Sequence, residues 1–398
     1  MTRMDPVAIL GTGMTDMSRR DLTPEAMAHQ VVHEALGDAG IEAHRLTLVV
    51  AGNALGGRLC DQGCVRGQSW LRKAGLGDVP VVNVDNSCAG GASALHLGTM
   101  AVRAGGGPVL VLGTEKMWTG DREATLAGIE DGLPADYRGD MRARFRAEDN
   151  PGGSILMSLN DFWARQCMAE RGTTIEQIAA AAAKARRNAA SNPLAQVQRA
   201  ATVEEVLAAP QVAGVLTRLM CSSFTDGAAA VVLGAASGAP AAAPRIIGSM
   251  ARSGDGSVDY HDRLAETARD AWEELGCGPD DFDLVEVHDA TSAEEIYALE
   301  SLGLFGHGEA GPATAAGHTD IGGPGLTVNP SGGLVGRGHP LGATGIAQVV
   351  ELATQLRGRA AGRQVEGARL GLAVNTGGVL EGDAAFVGVH AVAAGSRS

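Results

Sequence analysis

Cys88 follows Asn86 and Ser87 and opens the small-residue run CAGGASALHLGTMAVRAG, which reads as a helix. A thiol at a helix start sits among unpaired backbone N–H groups, at the positive end of the helix dipole. That setting favours thiolate and predicts a pKa below the usual ~8.5. A thiolate can attack a thioester carbonyl, and the same N–H groups can hold the oxyanion that forms. The competing reading is a buried structural cysteine, a common fate for this residue type. The histidines elsewhere in the chain weigh against it.

His339 lies in NPSGGLVGRGHPLGATG. The glycines let backbone approach a ligand, and Pro340 suits the first turn of a helix. The imidazole then projects from a helix start, where it can take a thiol proton or polarise a carbonyl. His288 lies in LVEVHDATSAEEIYALESLGL, just past a strand, with Thr291 or Ser292 able to cap the following helix. A side chain at a strand's C-terminal end points into the crevice where α/β sheets bind ligands. The bland alternatives are a turn histidine for His339 and a structural partner of Asp289 for His288. Gly377, in VNTGGVLEGD, could offer its N–H to an oxyanion beside Cys88. The remaining histidines, His261 among them, read as surface or packing residues.

These side chains need elements to hold them. VAILGTGMT, LTLVVAGNAL, VPVVNVDN and GPVLVLGTEKM read as buried strands, with TPEAMAHQVVHEALGDAG as a helix ending at glycine. Alternating strands and helices predict an α/β layered sheet. The order strand, turn, small-residue helix, strand occurs twice. It occurs once around Cys88 and again in LTVNP, GHPLGATG and LGLAVNTGG around His339. A duplicated fold with a pseudo-twofold axis would bring the two junctions together. The expected organisation is an N-terminal half over 1–117, an inserted helical lobe over 118–220, a return strand and linker over 221–240, and a second half over 241–398.

The net charge of −14 argues against a nucleic-acid partner. An anionic substrate would then need local cations. The runs Arg142, Arg144, Arg146 and Lys184, Arg186, Arg187 are the obvious phosphate candidates, with a solvated helix face as the competing reading. The six cysteines are scattered, and only Cys60 and Cys64 are close together, so no metal site is expected. No basic and apolar leader is evident and no apolar run reaches membrane-spanning length, so a reduced, cytoplasmic chain off the membrane is expected.

The segments DNSCAGGASALHLGTMAVRAG, GTEKM, SNPLAQ, TDGAAAVVL, VEVHDA and NPSGGLVGRGHPLGATG, in this order, resemble the thiolase superfamily over nearly the whole chain. The resemblance is strongest to its sterol-carrier-protein-type and archaeal acetyl-CoA acetyltransferase branch. It implies a thiolase fold: two duplicated βαβαβαββ halves in a five-layer αβαβα arrangement with an inserted loop domain. It implies no cofactor beyond the coenzyme A thioester itself. A homodimer or higher homo-oligomer is also implied, with a small acyl-CoA-binding partner built from a zinc ribbon and a barrel. Residue by residue, Cys88 matches the acylated nucleophile and His339 the histidine that activates it. His288 matches the histidine that helps bind the thioester oxygen. Asn329 matches the asparagine of the NxxGG segment, Gly377 a glycine donor of the second oxyanion hole, and Ser222 lies near a CoA-contacting serine.

The sequence departs from the family where a second cysteine serves as acid and base: those positions are Ala290 and Asn375. Thr291 stands where phenylalanine is usual. Acyl transfer to Cys88 needs only Cys88 and His339, whereas thiolysis of acetoacetyl-CoA normally leans on the missing thiol. The leading expectation is therefore an acyltransferase that makes or breaks a carbon–carbon bond at a β-ketoacyl-CoA through acyl-Cys88. The alternatives are a retro-aldolase on a β-hydroxyacyl-CoA and a non-catalytic acyl-CoA- or lipid-binding subunit.

Overall fold

The computed structural model describes residues 5–18, 21–144 and 153–396. The first half contributes β1 (Val7–Met14), α1 (Pro24–Ala39), β2 (Leu48–Gly52), β3 (Val81–Val84), α2 (Gly90–Arg103), β4 (Val109–Glu115) and the later β5 (Gly227–Ala235). Between β4 and β5 lies a segment containing α3 (Ile155–Arg171), α4 (Ile175–Ala190), shorter helices and a two-stranded ribbon. The second half contributes β6 (Arg245–Ser253), α5 (Tyr260–Leu275), β7 (Leu284–Glu286), α6 (Ser292–Ser301), β8 (Thr327–Val328), α7 (Thr344–Leu356), β9 (Leu370–Leu380) and β10 (Asp383–Ala393).

The strand order is β8-β7-β9-β10-β6-β1-β5-β4-β2-β3. Read outward from the β6–β1 seam, both halves run first, fifth, fourth, second, third in their own chain order. The pairing senses repeat too. The second strand lies parallel to the third and fourth, and the remaining pairs are antiparallel. The duplication read from the sequence is thus a duplication of topology. At the seam only Val7↔Ile246 and Ala8↔Arg245 are in register, so a short pairing joins the two halves into one ten-stranded sheet.

Alternation along the strands sets the layers. Leu110 and Leu112 of β4 face outward onto Val31 and Val32 of α1. Val109 and Val111 face inward, in one cluster with Leu95 of α2 and Ile346 and Val349 of α7. Both α2 and α7 pack on strands of both halves, and so form the middle layer between two half-sheets. α1 covers the first sheet from outside and α5 the second. Thr23 caps α1 through Ala26 N–H with Pro24 in the first turn, and Gly40 ends it in the left-handed region, as the sequence pattern predicts.

The middle helices touch at their starts. A Cβ on Gly345 would lie 2.5 Å from Ala92 N, so only glycine lets the two backbones come this close. The inserted segment is less separate than a lobe. Leu159, Trp163, Ile178 and Ala182 share one core with Val285, Ile296, Leu372 and Val389 of the second half.

Candidate active site

The backbone brings Cys88 to the site through a sharp turn rather than a plain helix start. β3 ends at Val84, and Ser87–Ala89 form a 3₁₀ turn that leads into α2. Ser87 holds a φ of 51°, a strained value for a residue with a side chain. The thiol is not activated at rest. Burial pushes Cys88 up to about 12; the Ser87 hydroxyl opposes the rise and the buried Glu115 carboxyl adds to it. The depressed pKa expected from the helix start is therefore corrected: removal of the sulfur from water outweighs the dipole.

His339 comes from the equivalent junction of the second half. Pro340 precedes a 3₁₀ turn, Leu341–Ala343, that runs into α7, so it stands just before the helix rather than in its first turn. The His339 N–H donates to Thr225 Oγ1 at 3.0 Å. Nδ1 lies 2.7 Å from Thr344 Oγ1, and that hydroxyl donates to Pro340 O at 3.0 Å. With its proton committed there, Thr344 accepts from Nδ1–H, leaving Nε2 of His339 as a lone-pair acceptor. Burial, then the charges of His288 and Arg337, hold this imidazole well below the ordinary range, in the neutral form a base requires.

His288 sits two residues past β7 and is polarised the other way. The Asn375 side-chain amide donates to its Nδ1 at 2.8 Å, which places the ring proton on Nε2. Burial and Arg337 lower His288 to about 3. Asp289 is not its partner: it accepts from Leu334 N–H at 2.7 Å and so fixes the glycine-rich loop ahead of His339. Thr291 starts α6 without capping it, its hydroxyl going to Asn160 Oδ1 at 3.3 Å.

Cys88 Sγ and a nitrogen of each imidazole all lie within 4.8 Å of one another, and the two rings meet edge to face with centroids 5.0 Å apart. The trio opens on a cavity of about 420 Å³ bounded by both halves and the inserted segment. Gly377 and Ser222 line it too. A Cβ on Gly377 would lie 2.3 Å from Asn86 O and 2.4 Å from Ala89 N, so β9 can press against the Cys88 turn only with glycine there. A thiol and two imidazoles are also ligand types for a thiophilic cation.

Other sequence candidates fall elsewhere. Asn329 is fully buried behind the cavity wall: Oδ1 accepts from Val287 N–H at 2.9 Å and Nδ2 donates to Glu295 at 2.9 Å. It steadies the chain leading to His288. Lys184 forms a buried ion pair with Glu295 at 2.7 Å, Arg186 donates to Leu219 O, and Arg187 pairs with Asp320. Lys184 and Arg186 are buried where α4 packs into the second half, while Arg187 is exposed and held by its ion pair. Arg142 pairs with Glu130, Arg144 stacks over Phe162, and Arg146 lies outside the described residues. Among the described residues the arginines lining the cavity are Arg122 and Arg218, which stand in no basic run of the sequence that would flag them. Glu115 was also missed. Its carboxyl accepts from Asn53 Nδ2, Ala54 N–H, Leu55 N–H and Gly342 N–H, tying the first half to the His339 loop.

This architecture is shared with known proteins. The thiolase N-terminal domain family matches residues 7–237, and the thiolase C-terminal domain-like family matches residues 257–388. The chain belongs to the thiolase family. It is 38% identical to the acetyl-CoA acetyltransferase of Methanothermobacter thermautotrophicus, across 94% of this chain and 97% of that protein. It is 31% identical to human sterol carrier protein 2, across 93% of this chain and 70% of that one. It is 31% identical to the benzoylsuccinyl-CoA thiolase subunit BbsB of Thauera aromatica, across 90% and 91%. The solved Ltp2-ChsH2(DUF35) aldolase shares the fold with a TM-score of 0.77 at 22% identity, covering 98% of each chain.

Proposed function

We propose that this protein is a thiolase-type acyltransferase that forms an acyl-Cys88 intermediate from a CoA thioester and makes or breaks a carbon–carbon bond at a β-ketoacyl-CoA. The supporting observation is a thiol within 4.8 Å of two imidazoles whose hydrogen bonds give them opposite polarity. His339 Nε2 takes the thiol proton as Sγ bonds to the thioester carbon. His288 Nε2–H donates to the oxygen as it gains charge, with the Gly377 segment beside it. Collapse expels CoA sulfur, which leaves as the thiol with the proton from His339. Arg122 and Arg218 offer charge for the CoA phosphates.

The family resemblance supports a homo-oligomer, and the scattered free cysteines support a reducing, cytoplasmic setting. The Ltp2-ChsH2(DUF35) aldolase, which pairs its Ltp2 chain with a DUF35 protein, supports a small accessory partner here too. Among the described residues no helix is long and apolar enough to cross a membrane.

Intact-mass analysis after incubation with a panel of acyl-CoAs tests the proposal. A mass gain equal to the acyl group, absent in Cys88→Ala, is expected. One observation favours a retro-aldolase as the second reading: Ala290 and Asn375 occupy the positions of the family's second thiol, and Asn375 is bound to His288. Carbonyl product released from a β-hydroxyacyl-CoA by the Cys88→Ala variant would support that reading and overturn the first.

A further inference from the structure

Among the described polar side chains that line the cavity, Glu294 has a buried oxygen that the acyl-transfer chemistry leaves unused. Glu294, on α6, is 3% exposed and lines the cavity. Its Oε2 lies 3.2 Å from His261 Nε2. His261 is itself held in place, stacked on Tyr297 with centroids 3.5 Å apart and edge-on to Trp163 at 5.6 Å. Glu294 is thereby held by one oxygen. Its Oε1 is buried and has no hydrogen-bond partner among the described residues.

The neighbouring wall links this oxygen to the reacting end. Tyr260, adjacent to His261, also lines the cavity, and its hydroxyl bonds Thr376 Oγ1, next to Gly377 at the Cys88 turn. Tyr260 and Glu294 thus bound the same cavity onto which Cys88 opens.

We propose that Glu294 reads the acyl group, selecting CoA thioesters whose chain carries a hydroxyl and rejecting plain and carboxylated chains. This rests on the cavity being an acyl-CoA site. A carboxylate only accepts hydrogen bonds, so the group that satisfies Oε1 is a donor. A plain alkyl chain leaves that oxygen buried and unpaired, and a carboxylated chain adds a second negative charge beside it. His261 reads as packing from the sequence, and no local pattern marks Glu294.

The test uses CoA thioesters of equal chain length: plain, hydroxylated at successive carbons, and carboxylated at the end. Dissociation constants and the rate of Cys88 adduct formation are read for the wild type, Glu294→Gln and Glu294→Leu. In the wild type, one hydroxylated isomer is expected to exceed the plain chain by about 10-fold or more in affinity and in kcat/KM. Glu294→Gln retains an acceptor oxygen and part of that preference; Glu294→Leu loses it and favours the plain chain. The same rank order in the wild type and Glu294→Leu overturns the proposal, as does the lack of any hydroxyl preference in the wild type. If no thioester acylates Cys88, the acyltransferase reading fails, while the dissociation constants still decide the role of Glu294. Thermal melting of Glu294→Gln, an isosteric change, separates lost selectivity from lost folding.

Discussion

His288 and His339 meet edge to face, with centroids 5.0 Å apart and planes at 85°, yet their protons lie on opposite sides of the chemistry. A side-chain amide donor fixes Nδ1 of one ring, and a hydroxyl acceptor fixes Nδ1 of the other. One Nε2 is therefore left to donate and the other to accept. The assignment depends on Asn375 and Thr344 rather than on the histidines.

Asn375 should accordingly control His288. Replacing it with alanine removes the donor, and acylation of Cys88 is expected to slow by about 10²-fold, the usual loss when an oxyanion donor is disturbed. Asn375→Asp should do more harm despite its similar size. An acceptor in that place draws the ring proton to Nδ1 and strips Nε2, a wrong-tautomer defect worth about 10³-fold to 10⁴-fold. Single-turnover acylation followed by mass spectrometry gives the order; an aspartate variant as fast as the alanine variant would refute the tautomer assignment.

The resting thiol makes a second prediction. Burial raises Cys88 to about 12 and holds His339 well below the usual imidazole range, so both shifts favour the neutral forms. Across the neutral range the pair is thiol and imidazole, and the proton moves only when a carbonyl arrives. Alkylation of Cys88 by iodoacetamide should lag far behind that of exposed Cys64 and climb steadily with pH. Acylation by a thioester should show no acid limb near pH ~6.5, the ordinary imidazole value. Peptide mapping after timed labelling checks the first point. Rapid, flat labelling of Cys88 through neutrality would mean a preformed thiolate and would leave His339 without its task.

Much of this site was legible in the sequence, for a physical reason. Cys88 and His339 each sit where a strand feeds a small-residue helix, and short-range patterns report such junctions well. Local patterns say little about what packs across the fold. Asn375 meets His288 from 87 residues away, and Lys184 meets Glu295 from 111 residues away. Nothing local in the KARRN run shows that Lys184 and Arg186 are buried where α4 joins the second half's core, while Arg187 stays exposed. The sign of the Cys88 shift failed similarly: the helix start is visible in sequence, but the exclusion of water is not.

Glu115 offers a test of how the halves are joined. Burial raises it from 4.5 to about 7, against the pull of the Ala54, Leu55 and Gly342 N–H groups. A carboxyl raised on folding stabilises fully below its unfolded value and loses that contribution as pH rises through its folded value. The contribution of Glu115 to stability in urea, read as wild type minus Glu115→Gln, should thus fall as pH rises from ~4.5 to ~7. Glu286 and Asp289, also raised by burial, and His288 and His339, lowered by it, keep their own pH dependence in both proteins. The variant should also lose about 2–4 kcal/mol overall, because its amide NH₂ faces donors where an oxygen had accepted two of them. An unchanged slope would show that Glu115 does not titrate in this range.

The buried pair of Lys184 and Glu295 separates stability from site geometry. Lys184→Met leaves Glu295 unpaired at 1% exposure, which should cost about 3–5 kcal/mol. Glu295 also holds Asn329, whose Oδ1 holds Val287 N–H, the residue before His288. Acylation should therefore slow as well. Removing both charges, in Lys184→Met with Glu295→Leu, should recover most of the melting temperature, since no unpaired ion remains. It should not recover the acylation rate, because Asn329 has lost the carboxylate that orients it. A double variant restored in both respects would show that the link from Glu295 through Asn329 to His288 has no part in positioning the imidazole.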